Sequence, residues 1–191
     1  MANKDAAFVF RPICKVGQNR DSQGLSVYNI AANTTNAIYQ NDLVSFAASG
    51  YIENAQPTTS APHLLGSLNG VFYTDASTSK PTWANHLAAA NTATDIVGFV
   101  SDDPYERFEI QSAGTVAQTN IGNCADMDTY SAGSAHDGVS NVELSATMAA
   151  DAAQFKIIGI SKDPENNDTS SANDNAVVTI NEHFLKQTAG V

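Results

Sequence analysis

Apolar residues come in short runs along this chain, and polar, turn-forming stretches cut every run off early. Residues 25–30 alternate apolar and polar side chains, which predicts a half-buried strand. Residues 38–46 form the next apolar stretch, with Asn41-Asp42 as a turn or bulge signal inside it and Ser49-Gly50 as a turn after it. Residues 64–73 predict a strand pair or one bent strand, with Gly66 and Gly70 as kinks or points of close approach. Residues 96–100 are continuously apolar and predict a fully buried strand, ended by Asp103-Pro104 because proline lacks a donor and restricts its neighbour. Residues 107–111 alternate again, residues 156–160 predict a second buried strand, and residues 176–185 the last. Short β-rich runs bounded by Gly, Asn, Asp and Pro predict a mainly β fold, a small β-barrel or β-sandwich.

Some stretches fit the pattern less well. Residues 83–90 suit either a short helix or a loop anchored by Trp83, and the Ala-rich residues 145–153 predict a single short helix. An irregular loop insertion is expected at about 113–141, where Gly, Ser, Asn and Asp accumulate. One echo stands out: Ile96-Val97-Gly98 running to Asp103-Pro104 resembles Ile157-Ile158-Gly159 running to Asp163-Pro164. The spacing is irregular, so it reads as a recurring way to end a strand.

Residues 1–24 read as an extended N-terminal arm, ahead of one β-rich domain over residues 25–191. The arm interleaves Phe8, Phe10, Pro12 and Ile13 with Lys4, Arg11, Lys15 and Arg20, which are four of the nine Lys and Arg residues. The formal net charge is -11, so a basic, aromatic arm on an acidic body suggests docking on an acidic neighbour. The candidate contact residues are Lys4, Phe8, Phe10, Arg11, Lys15 and Arg20. An equal alternative is a strand that completes the domain's own sheet.

Charge also narrows the partners. With so few basic side chains, nucleic-acid binding is disfavoured, since phosphate contacts need Lys and Arg. No apolar run approaches the roughly 20 residues that cross a membrane as a helix, and the first residues do not resemble a signal peptide, so synthesis in a cytoplasm is expected. Cys14 and Cys124 stand far apart without a CxxC pair, which disfavours a zinc or iron–sulfur site and leaves a disulfide open.

Candidate chemistry is sparse. His63, His86, His136 and His183 have no ligand spacing. Ser134, His136 and Asp137 are triad types, but triads are assembled across a fold and not within four residues. Asp102, Asp103 and Glu106 flank a proline where solvated turn residues are usual. Asp163, Glu165, Asn167 and Asp174 are offset only faintly like a calcium loop, with Asp168 where glycine is required. Phosphate-binding glycine loops are absent. The expectation is therefore no enzyme, no cofactor and no metal.

The chain resembles the capsid decoration, or cement, proteins of tailed bacteriophages, of the marine and cyanophage type encoded near the major capsid protein. Residues 1–12, 41–44, 65–66, 70–75, 99–104, 108–111, 157–159, 178–183 and 189–191 carry the resemblance. It implies a β-tulip-like β-rich body on the outer capsid surface of a virion. It implies the major capsid protein and further copies of the chain as partners, as a homotrimer in the first place and a homodimer as the alternative. It implies stabilisation of the expanded shell across capsomer junctions and no catalytic residue. A head fibre, or a domain that binds a host glycan or receptor, is the alternative.

Overall fold

The computed structural model describes residues 3–8, 10–16, 24–55, 63–128, 133–149 and 153–186 of the chain. Its strands, in chain order, are β1 (Arg11–Lys15), β2 (Ser26–Asn29), β3 (Leu43–Phe46), β4 (Ile52–Asn54), β5 (Leu64–Thr74) and β6 (Pro81–Ala84). They continue as β7 (Val97–Ser101), β8 (Glu106–Gln111), β9 (Cys124–Met127), β10 (Leu144–Ala149), β11 (Phe155–Ile160) and β12 (Asn175–Ile180). The only helical turns among the described residues are short 3-10 segments at Gln118–Asn120 and Phe184–Lys186.

The strands form two six-stranded antiparallel sheets, and neither closes into a barrel. Sheet one has the order β1-β8-β12-β11-β9-β10. Sheet two has the order β2-β7-β5-β3-β4, and β6 pairs with β5 on the same side as β3. The fold is thus a β-sandwich.

Alternation makes the core. Phe108 and Ile110 of β8, Phe155 and Ile157 of β11, and Ala176, Val178 and Ile180 of β12 all point inward from sheet one. They meet Leu43 and Leu64 from one face of sheet two. The opposite face of sheet two encloses a second apolar cluster that includes Ile38, Val44, Leu65, Leu68, Val71 and Val100. Sheet two curls around this cluster until Ile30, just past β2, meets Ile52 of β4 in a parallel bridge. Gly66 is needed for the curl, because a Cβ there would lie 2.0 Å from the Ser101 carbonyl oxygen of β7.

Both Asp-Pro sequences make the same turn. Asp103 accepts the Tyr105 N–H on its side chain at 2.7 Å and the Glu106 N–H on its carbonyl at 3.0 Å. Asp163 repeats this with the Glu165 N–H at 3.1 Å and the Asn166 N–H at 3.0 Å. An Asx-type side-chain bond and a proline at the second turn position reinforce each other.

Three expectations need correcting, and one pair of alternatives is decided. The region about 113–141 is not all loop, because β9 lies inside it and pairs on both sides. Of the Ala-rich residues 145–153, those up to 149 belong to β10 and not to a helix, because pairing with β9 overrides the helix propensity of Ala and Met, while residues 150–152 lie outside the described residues. Of the two alternatives for residues 83–90, the helix falls away: Trp83 and Ala84 end β6, and the chain beyond is irregular, with Leu87 bridging to Ile38. Strand β7 is not buried on both faces; Gly98 and Val100 are buried while Val97 and Phe99 are only half-buried.

Candidate interaction surface

The N-terminal residues lie on the body of the protein. Phe10 is fully buried, with its ring centroid 4.4 Å from that of Phe155 and 6.0 Å from that of Phe108. Its carbonyl accepts the Ser67 hydroxyl at 2.8 Å, which ties it to sheet two. Strand β1 then joins the edge of sheet one against β8, with a bulge at Ile13. Upstream, the Asn3 amide donates to the Asp168 carbonyl at 3.0 Å and to the Asp174 carboxylate at 2.6 Å. The Lys4 carbonyl accepts from the side chains of Gln111 and Asn166, at 2.8 and 2.7 Å.

The candidate contact residues therefore do not form one patch. Phe10 belongs to the core. Lys15 is buried, with its ammonium 2.9 Å from Asp103. Arg11 is paired with Glu109, and its guanidinium lies 4.5 Å over the Phe8 ring. Phe8 is half-buried, Lys4 is exposed, and Arg20 lies outside the described residues. Phe10 is consumed by the fold because it completes the core between the two sheets, whereas Ile13 and Val16 stay exposed.

The other candidates for chemistry are also committed to structure. Asp102 accepts the Ser26 hydroxyl at 2.9 Å and the Tyr28 hydroxyl at 2.6 Å. Tyr28 is pushed well above the usual phenol range, first by burial and then by this carboxylate. His136 meets Asp137 at 2.8 Å on an exposed turn, while the Ser134 hydroxyl accepts the Asp137 N–H and leaves the imidazole alone. Asp174 accepts the Val116 N–H at 2.6 Å besides the Asn3 amide. No group of three or more His, Cys, Asp and Glu side chains among the described residues is arranged to hold a metal ion. Cys14 is exposed, Cys124 is buried, and both thiols are free.

Two buried groups carry unusual protonation. Asp42 is pushed up to about 6 by burial, even though it accepts the Tyr39 N–H at 2.8 Å and the Asn54 amide at 2.6 Å. His183 is fully buried, and its pKa is held down to about 4, first by that burial and then by the nearby Lys186 ammonium. It sits where Leu64 of β5 bridges to the chain after β12. Its Nδ1 accepts the Leu185 N–H at 3.1 Å, which fixes the ring as a structural element.

A cleft of about 420 Å³ opens between the loop over residues 31–36 and the β3–β4 hairpin. Asn33, Thr34, Asn36 and Tyr51 line it, and Glu53 is its one carboxylate.

The feature that sequence reasoning missed is on the outer face of sheet two. One end of that face is covered, since Leu43 and Leu64 pack into the core shared with sheet one. Past that cover the same face continues bare. Val27 lies opposite Phe99, and Phe99 lies opposite Gly70. Phe72 lies opposite both Val97 and Trp83. Trp83 leans over Gly70 to reach Phe99, with ring centroids 4.7 Å apart; a Cβ on Gly70 would meet the indole at 3.0 Å. Val27 is 57% exposed, Trp83 56% and Phe72 39%. Leu25, two residues before Val27, adds a further exposed apolar side chain. The signal in the sequence was the period-two placement of Leu25 with Val27, in a strand expected to be half-buried, and of Val97 with Phe99, in one expected to be fully buried. No known protein family, curated protein or solved structure matches the chain.

Proposed function

We propose that this chain is a non-enzymatic structural protein of a phage virion. It binds the outer surface of the capsid together with further copies of itself, and it stabilises the expanded shell across capsomer junctions. The observation that carries this reading is the bare aromatic face of sheet two, set on a body whose ionisable groups hold the fold together. Contiguous exposed apolar surface on a protein marks a place where another surface docks. The net charge of -11 suits the outside of a shell, away from packaged DNA, and suits contact with the major capsid protein better than contact with nucleic acid. Many equivalent copies on one shell multiply a small contact energy into a large effect on the particle.

Particles stripped of the protein test this. They should release DNA at a lower temperature than intact particles, and adding the protein back should restore them. A second reading is a head fibre or a domain that binds a host glycan or receptor. The cleft beside Tyr51, lined with hydroxyl and amide groups, favours a neutral sugar there. Stripped particles that keep their DNA yet fail to adsorb to cells would replace the first reading with the second.

A further inference from the structure

We infer that the bare outer face of sheet two pairs with the same face of a second copy, sheet against sheet, as a two-fold dimer. Leu25, Val27, Phe72, Trp83, Val97 and Phe99 form this face, and none of them carries a charge. That matters because the chain has a net charge of -11. Two such bodies repel, and they can approach closely only through surface that brings no carboxylates together. A partner recognised through charge would be met by charged groups at the contact. These six positions present none, so area and shape alone do the recognition, and an uncharged face is complementary to itself.

The fold also shows how this face likes to be covered. At its other end the same face of sheet two is packed by sheet one, through Leu43 and Leu64. A second sheet is therefore the cover that this surface already accepts, and stacked sheets with aligned strands are a common way to bury such faces. The size is adequate. Taking roughly 150–250 Å² for a whole large side chain, the exposed parts of Leu25, Val27, Phe72 and Trp83 sum to on the order of 350 Å². Half-buried Val97 and Phe99 add to this. A standard interface hides about 800 Å² per partner, of which about 65% is apolar in homodimers, so the face supplies most of the apolar part. An identical patch on each copy closes the pair and leaves no free end for a filament.

Trp83 is the sole tryptophan, so its fluorescence reports this contact directly. On raising the concentration of the full-length protein, light scattering should show the mass moving from 20.1 kDa to twice that value. Trp83 emission should shift to the blue over the same range. Added salt should tighten the pair by screening the two acidic bodies. Trp83→Asp and Val27→Asp, both at exposed positions, should each weaken pairing by about 30-fold or more, with unchanged circular dichroism. A trimer, a monomer with exposed Trp83 at every concentration, or a dimer that both variants leave intact overturns the inference. So does a monomer whose Trp83 becomes buried only on added phage shells, which would hand the face to the capsid. The pairing is measured without shells, so it stands or falls apart from the capsid reading; dimers that fail to bind shells would sink that reading alone.

Discussion

Replacing Phe10 with alanine separates a core strand from a docking arm. The ring is fully buried and packs on Phe155 and Phe108. Losing it exposes or empties about 100 Å² of apolar contact, which costs about 2.5 kcal/mol at about 25 cal/mol per Å². If the surroundings close only partly and leave about 70 Å³ unfilled, the cavity adds about 1.7 kcal/mol at about 24 cal/mol per Å³. The sum, about 4 kcal/mol, sits within the usual range for a buried phenylalanine. In a chain of this length each kcal/mol moves Tm by roughly 2–4 °C, so the variant should melt about 8–16 °C lower. Phe8→Ala is the control. That ring is half-buried beneath Arg11, and its loss should cost under about 1 kcal/mol. Calorimetry on the three proteins reads both numbers. If Phe10→Ala melts within 2 °C or so of the parent while losing affinity for shells, the burial argument is wrong and residues 1–24 act as an arm.

Three further outcomes are expected. Between pH 6.5 and 4, His183 and Asp42 oppose each other: the unfolded chain protonates its histidine first, which removes stability as pH falls, while folded Asp42 protonates first, which adds it. Each is worth up to about 3 kcal/mol at about 1.4 kcal/mol per pKa unit, so Asp42→Asn should lose about that much stability on going to pH 4 in urea titrations while the parent stays nearly level; equal pH slopes would refute the pairing. Gly66→Ala should cost about 3 kcal/mol or more, or give insoluble protein, because its methyl group meets the Ser101 carbonyl; a soluble variant with parental Tm would show that β5 and β7 can part there freely. Lys15→Ala should cost about 2 kcal/mol by leaving Asp103 without its ammonium, whereas Lys4→Ala should be silent in the same denaturant titration; equal losses would mean that the Lys15 pair adds nothing.

How far the fold could be read from the sequence depended on how strongly each segment stated its own period. Strands β2, β8, β11 and β12 are rich in β-branched or aromatic residues, and their location was plain. Strands β9 and β10 are built largely from Cys, Ala, Asp, Ser and Thr. Their local preferences are weak, so pairing across the sheet decides their shape, and pairing is invisible in a linear string. The same limit explains the N-terminal segment. Basic and aromatic composition suggested Phe10 and Lys15 as contacts to a neighbour or as part of the domain's own sheet, and only the three-dimensional arrangement shows that they pack on Phe155 and Asp103 of the same chain. It also explains the aromatic face. A run such as Val97-Gly98-Phe99-Val100 looks buried on both sides, and only the extent of sheet one shows where the cover stops.

The order of the strands along the chain carries a consequence for synthesis. Sheet two is made entirely from residues 26–101, whereas sheet one takes β1 from before that block and β8 to β12 from after it. A ribosome therefore releases everything needed for sheet two while β1 still has no partner. The Asn3 amide bonds a residue 165 positions downstream, and the Lys4 carbonyl one 162 positions downstream. At about 5–20 residues per second the N-terminus waits roughly 10–30 s for the segment that will hold it. Throughout that interval Leu43 and Leu64 face water on a sheet that is otherwise complete. A nascent or truncated chain that stops before β8 thus displays apolar surface at both ends of one sheet face, and β1 can seal the core only once the strands that follow residue 101 have emerged.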